Sequence, residues 1–208
     1  MTGAHLRGGS WLRVTCGVVV AAGLGVVLVA REPALSRRDA DAFERKVLEI
    51  RQYGTATLRG ARVTPVSESE LNSFLRYGAS EQMPVGLRQP YVTILGDGRV
   101  SGSAIVDLDE VRQARTNTGF DLTSLLAGQV EVTAAGRVEA EDGRARFDLE
   151  SATVGGVPVP KRVLQDLVSY YSRSPEYPAG ISLDDTFALP ARIREIHVRP
   201  GQAVVVQD

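Results

Sequence analysis

The residues that carry most nucleophilic, redox and metal chemistry are scarce in this sequence. It has one cysteine, Cys16, and two histidines, His5 and His197. A lone cysteine excludes an intramolecular disulfide. Cys16 sits in an uncharged run and reads as a small hydrophobe; a lipoprotein cysteine would want small residues where Val14-Thr15 stand, and would come later in the run. An excess of one charge is missing as well. Lys plus Arg number 24 against 25 Asp plus Glu, for a formal net charge of −1, and no basic run stands out, which argues against a nucleic-acid surface. No G-x-S-x-G elbow and no fixed-period repeat is present. His197 is the only base outside the N-terminal tail, in a strand beside a proline turn, and a nucleophile triad needs more than that. Asp107, Asp109 and Glu110 offer oxygens to a hard cation but lack calcium-loop spacing, and read as a solvated strand end. Asp184-Asp185 reads as a turn or strand edge. Gly155-Gly156 is not followed by a phosphate-loop lysine, since Lys161 comes after two prolines; backbone turning explains the glycines. No catalytic residue, cofactor or metal ligand is assigned.

What the sequence does have begins with Val14 to Ala30, VTCGVVVAAGLGVVLVA, which holds no charge. A span of roughly 17 to 20 residues at about 1.5 Å each just crosses a hydrocarbon core of about 30 Å. Trp11 suits the interface. Arg7 and Arg13 precede the run, and Arg31, Arg37 and Arg38 follow it among acidic residues. The expectation is a transmembrane signal-anchor, N-terminus inside, with a cleaved signal peptide ending at Leu28-Val29-Ala30 as the competitor. Gly17, Gly23 and Gly25 form no G-x-x-x-G face. The organisation expected is a short cytoplasmic segment 1–13, the anchor 14–30, a linker and helix 31–54, and an extracytoplasmic domain 55–208.

Within the segment 31–54, Asp39 to Tyr53 reads as a helix with Phe43, Val47 and Ile50 on one face and Leu48 beside it; it is too short for a coiled-coil claim. Thr55 to Val63 alternates loosely as a strand. Ser67-Glu68-Ser69-Glu70 is a capping-box signature opening a short helix that should bury Leu71, Phe74 and Leu75, with Gly78 as its stop. Gln82 to Pro90 reads as loop. Two long hairpins follow, Tyr91 to Leu108 turning at Gly96-Asp97-Gly98 and Gln129 to Val154 turning at Glu141-Asp142-Gly143, because Asp-Gly between apolar runs is a strong hairpin signal. Asp109 to Arg115 reads as a helical turn. Val130, Val132, Ala134, Gly136, Val138 and Ala140 share one face, and Ala145, Phe147, Leu149 and Ser151 share one in the returning strand, so one side is covered and one wet. The stretch Thr153 to Tyr171 reads as a strand end, a glycine-proline crossover and a helix. Pro160 suits its first turn, and Val163, Leu164, Leu167, Val168 and Tyr171 make the apolar stripe. Ile181 to Leu189 reads as a strand, and a hairpin over Ile193 to Val206 turns at Arg199 to Gln202. The fold class expected is α+β: a long curved antiparallel sheet of about eight strands packed on three or four amphipathic helices, preceded by one N-terminal transmembrane helix.

The covered face carries small residues, Gly102, Ala104, Ala134, Gly136 and Ala145. Close helix packing accounts for them; so does a slot for an apolar guest. The candidate ligand-binding set is therefore Ala104, Ala134, Gly136 and Phe147 from the sheet with Val163, Leu164, Leu167 and Val168 from the helix. Tyr53, Tyr77, Tyr91, Tyr170, Tyr171 and Tyr177 suit either a headgroup rim or mixed core edges.

The order of an N-terminal span, helix and strand, then "VTPVSESELNSFL", two hairpins, "VGGVPVPKRVLQDL" and "FALPARIREIHVRPGQAVVV", resembles bacterial membrane-anchored extracytoplasmic proteins of the YpmS and LmeA kind, which are similar to TULIP-like and AsmA-like lipid-binding domains. The resemblance rests on Glu70-Leu71-Asn72, the Gly156 to Pro160 crossover with its helix, and the Leu189-Pro190 to Ile196 strand, over most of Thr55 to Val206. It implies a curved sheet wrapping a long helix, and handling of a lipid or acyl chain at the cell membrane without catalysis. It transfers no residue-level motif. The rival expectation is an envelope scaffold or assembly factor that contacts a protein partner through the same domain; a hydrolase built on His197 is the third.

Overall fold

The computed structural model describes residues 34–57, 60–79, 83–113, 128–171, 179–180 and 182–208. The uncharged run Val14–Ala30, Trp11, Cys16, His5 and Tyr177 lie outside the described residues, as do the side chains of Leu167, Tyr170 and Tyr171. Among the described residues no helix is long and apolar enough to cross a membrane. A compact unit runs from Pro33 to Asp208.

That unit is α+β, with a long antiparallel sheet and few helices. Helix α1 (Arg37–Thr55) starts at Ser36, whose Oγ accepts from the Asp39 N–H at 3.1 Å, and so satisfies one of the first-turn donors that have no partner within the helix. It buries Ala40, Ile50 and Tyr53, while Leu48 stays exposed. Strand β1 is Arg62–Ser67, not the expected Thr55 to Val63. It includes Pro65; β1 is an edge strand, where a residue with no N–H to donate is tolerated. Helix α2 (Glu68–Tyr77) carries the capping box as expected: the Glu70 N–H donates to Ser67 Oγ at 3.2 Å, and the Ser67 N–H to Glu70 Oε2 at 2.8 Å. What α2 buries fully is Asn72 and Ser73; Leu71, Phe74 and Leu75 are half-buried.

Strands β2 (Leu87–Gly96) and β3 (Arg99–Asp107) form the first hairpin, and β4 (Gln129–Glu141) and β5 (Arg144–Val154) the second. Both turn on an Asp-Gly pair with positive φ at each residue, +52° and +78° at Asp97-Gly98, +51° and +72° at Asp142-Gly143. Such turns carry the twist of the strands they join. The short helix α3 (Leu108–Gln113) leaves β3. At Gly155-Gly156 the chain turns again, so the glycine-proline crossover contains a two-residue strand β6 (Val157–Pro158) that returns along β5 before helix α4 (Lys161–Tyr171). Of the expected strand Ile181 to Leu189, only β7 (Phe187–Ala188) is extended and paired, on the opposite end of β5. Strands β8 (Ile193–Arg199) and β9 (Gln202–Gln207) close the chain as a hairpin.

Among the described residues nine strands therefore make two antiparallel sheets: β1-β9-β8, and β2-β3-β4-β5-β6 with β7 also on β5. The outer strand β8 of the small sheet receives the hairpin tips of the large one. The Gly143 N–H donates to Arg194 O at 2.9 Å, and the Gly201 N–H from the β8–β9 turn to Ile94 O at 2.8 Å. The core gathers here: Val204, Val205 and Val206 are all buried, because β9 is the central strand of its sheet and is covered on both faces. Gln207, fully buried, ties β9 to helix α1 by donating to Ile50 O at 2.9 Å and to Ala191 O at 2.6 Å. Helix α1 comes so near that a Cβ on Gly54 would lie 2.5 Å from Ala191 Cα. This helix belongs to the folded unit rather than leading to it.

Candidate functional site

Helix α2 organises the candidate site. Glu68 and Asn72 are four residues apart, so they share one helix face, and that face lies along the free edge of β2. Asn72 Nδ2 donates to Val92 O at 2.7 Å, and the Val92 N–H donates to Asn72 Oδ1 at 2.7 Å. Glu68 Oε2 accepts from the Ile94 N–H at 2.7 Å, and its other oxygen accepts from the Tyr91 hydroxyl at 3.3 Å. Two side chains thus take the edge of β2 that pairs with no strand among the described residues. On its other side α2 packs on α1 through stacked Phe43 and Phe74 rings, 4.8 Å between centroids. Lys46 Nζ adds a bond to Pro65 O and an ion pair with Glu70, both at 2.7 Å.

Burial pushes the Glu70 carboxyl up. The Lys46 ammonium and the Ser67 N–H and hydroxyl more than offset that, and hold it below its ordinary 4.5. A carboxyl lowered on folding adds stability that is present above its unfolded pKa and lost as pH falls through the folded value. Glu70→Gln keeps the cap's acceptor but loses the charge facing Lys46, and is accordingly expected to cost about 1 kcal/mol at pH 7, the upper end for such an ion pair. Its deficit against the native chain should shrink in denaturant titrations taken below pH 4.5, and a deficit constant with pH would sink this assignment.

The fixed helix holds one wall of a cleft of about 440 Å3, lined by Leu35, Leu75, Arg76, Met83, Leu87, Gln89, Pro90 and Tyr91. The opposite wall is an irregularity of β2. Its register against β3 runs from Arg88↔Ile105 directly to Tyr91↔Ser103, leaving Gln89 and Pro90 unpaired, with Gln89 at φ +48°. The strand thus begins at Leu87, inside the stretch that reads as loop, and Pro90 sits where no ladder N–H is required. The Leu35 carbonyl accepts from the Tyr77 hydroxyl at 3.5 Å. A volume of this size, walled mainly by apolar side chains, falls within the roughly 300–1,000 Å3 range of small-molecule sites.

The sheet half of the expected ligand set does come together. Ala104 pairs with Val132, Ala134 lies between Gly102 and Ala152, and Gly136 lies between Val100 and Leu149. At Gly136, however, the space is filled from within the sheet: a Cβ there would lie 2.6 Å from Phe147 Cζ. Farther along it is open, since a Cβ on Gly102 would meet only Tyr91 O, at 3.8 Å. Ala104 and Ala134 are half-buried, as are Val163, Leu164 and Val168 of α4. Helix α4 is tied toward β5: Lys161 Nζ lies 3.7 Å from Asp148 and 2.6 Å from Asp184, and the Val159 N–H donates to Ala152 O at 2.9 Å. The face also shifts phase where the ladder steps from Ala135↔Ser151 to Gly136↔Leu149. Glu150 is the extra residue of a bulge, so Ala152 is buried where strict alternation from Leu149 would put the exposed Ser151.

The acidic groups near β3 are engaged in structure. Asp107 Oδ1 accepts from the Glu110 N–H at 3.1 Å, Asp109 Oδ2 from the Gly128 N–H at 3.1 Å, and Arg88 pairs with Asp107 and Glu110. The Glu110 N–H leads the causes that lower the Asp107 carboxyl. His197 Nε2 lies 3.0 Å from Glu195 on the half-exposed edge of β8. Among the described residues no cluster of three or more His, Cys, Asp or Glu could hold a metal ion. No protein-family model matches the chain, and no curated protein matches it in sequence.

The cleft was not legible as a site. Leu75 reads as core and Pro90 as punctuation, while Leu35 lies in the linker. The one available signal was the excess of apolar positions on α2: a helix that already buries Asn72 and Ser73 against β2 and α1 has Leu75 left over.

Proposed function

We propose that this is a membrane-anchored, non-enzymatic extracytoplasmic domain that binds a lipid or other apolar ligand. The observation that carries the reading is the cleft of about 440 Å3 between the end of α2 and the bulged start of β2, with Leu35, Leu75, Met83, Leu87 and Pro90 as its apolar wall. An apolar guest gains about 25 cal/mol for each Å2 of apolar surface removed from water, and here finds few polar groups to desolvate. The half-exposed small-residue face around Gly102, Ala104 and Ala134 offers further apolar surface on the same sheet. The uncharged run Val14–Ala30 supports the anchor, and the extracytoplasmic placement is the orientation usual for a signal-anchor, a single N-terminal span behind a short basic head.

A photoactivatable palmitate tests this with the full chain in membranes. Crosslinks are expected on peptides that carry Leu75, Met83 and Leu87. Met83→Asp, in a turn outside the helices and strands, should lower them about tenfold by placing a charge in an apolar wall. Crosslinks confined to residues 14–30, or none at all, would overturn the assignment.

A further inference from the structure

A second hollow, of about 170 Å3, adjoins the cleft, and Tyr91 lines both. Its side chains belong to the polar face of the large sheet, the face away from the small-residue row of Ala104, Ala134 and Gly136. The register explains its lining. One row across the strands is Tyr91, Ser103, Thr133, Thr153, and the next is Thr93, Ser101, Ala135, Ser151. Hydroxyls thus recur about 4.8 Å apart across the strands, and short side chains leave the hollow open above them. Thr133 and Thr153 share one hydrogen bond, at 2.7 Å. Among the described residues the hydroxyls of Thr93, Ser101, Ser103 and Ser151 bond to no protein group. Among the described residues no charged side chain lines the hollow, and across both linings Arg76 alone is charged, exposed in the last turn of α2 where a cation complements the helix dipole.

We infer that the ligand is a glycolipid, its apolar chain in the cleft and a neutral sugar in the hydroxyl-lined hollow. This rests on the reading that the cleft takes an apolar chain. Charge complementarity selects the head: among the described residues the wall of the hollow itself offers hydroxyls and no cation to pair with a phosphate or carboxylate, and Arg99 and Arg137 stand one row farther along the face. A hydroxyl both donates and accepts, so a row of them matches a polyol, whose own hydroxyls do the same. The Tyr91 ring at the junction supplies an apolar face and a polar edge, as a sugar ring requires. The hollow has room for about six waters of roughly 30 Å3 each, the size of one sugar ring.

The test is competition for photoactivatable-palmitate labelling of the full chain by two amphiphiles with the same tail, n-dodecyl β-D-maltoside and n-dodecylphosphocholine, each below its micellar concentration. The maltoside is expected to compete at about tenfold lower concentration, the worth of one or two net hydrogen bonds. In a chain carrying Ser103→Ala and Thr133→Val the two potencies should converge, with that of the phosphocholine unchanged. Equal potency on the native chain overturns the sugar head while leaving the apolar cleft standing, as does a preference that survives the double substitution. Cleft labelling that neither compound displaces overturns the glycolipid, and absence of cleft labelling removes the apolar-ligand reading with it.

Discussion

Asn72→Leu is expected to cost the fold about 3 kcal/mol, although leucine matches asparagine in size and is the more hydrophobic. Asn72 is 1% exposed and spends both ends of its amide on one residue, the N–H and the C=O of Val92. Leucine would leave both half-buried backbone groups of Val92 without their partner, at about 1–3 kcal/mol for each orphan, offset in part by the apolar gain. In a domain of this size, 1 kcal/mol moves Tm by about 2–4 °C, so thermal unfolding should shift down by roughly 10 °C. Asn72→Asp separates the two bonds. An aspartate keeps the acceptor for the Val92 N–H but sets a carboxylate against the Val92 carbonyl oxygen. That raises its folded pKa, so its deficit relative to the native chain should narrow as pH falls and the protonated acid becomes a donor. A deficit in Asn72→Leu below about 1 kcal/mol would mean that water replaces the amide. The effect reaches the candidate site, because the same two bonds fix α2, and α2 carries Leu75 and Arg76 into the cleft.

The parts of this architecture visible in the sequence are those set by residues close together in the chain. Ser67 and Glu70, three residues apart, cap a helix at its start, and Asp97-Gly98 and Asp142-Gly143 turn hairpins whose partners follow at once; each signal is complete within a few positions. Where partners are distant, local reading falls short. The strand Arg62–Ser67 is displaced from the expected Thr55 to Val63 because its register is set by β9, far away in the sequence. Glu150 reads as one more outward residue until its register against Ala135 and Gly136 is known. Asn72 reads as part of a polar helix face until Val92, twenty residues on, takes both ends of its amide. The cleft is the extreme case. Leu35, Leu75, Met83 and Leu87 come from a chain entry, a helix end, a turn and a strand start, and no periodicity links them. The small-residue face was visible as a pattern, but a pattern of glycine and alanine does not say whether a neighbour fills the space.

At Gly136 a neighbour does fill it, and there the expected result is again large. Gly136→Ala should destabilise the domain by about 3 kcal/mol, at the upper end of overpacking costs. The added methyl would lie 2.6 Å from Phe147 Cζ and 2.9 Å from Phe147 Cε2, and would overlap the Asp148 carbonyl oxygen. The phenyl ring can rotate; the carbonyl belongs to the ladder of β5 beside the bulge and can move only if β4 and β5 part. The backbone obstacle therefore decides the sign. Gly136→Ala combined with Phe147→Ala is expected to recover none of the loss in denaturant titrations, because removing the ring leaves the carbonyl in place and opens a cavity of its own. Full recovery in the double variant would show that the ring alone sets the limit. Palmitate labelling of the cleft, corrected for the fraction folded, should not change in Gly136→Ala, since Phe147 already closes the sheet face at this point and no ligand can enter there. By contrast, Gly102→Val at the open end, where a Cβ meets nothing nearer than 3.8 Å, should be accepted with little loss of stability. The two glycines occupy the same face of the same sheet, and the difference between them is what separates a packed position from an open one.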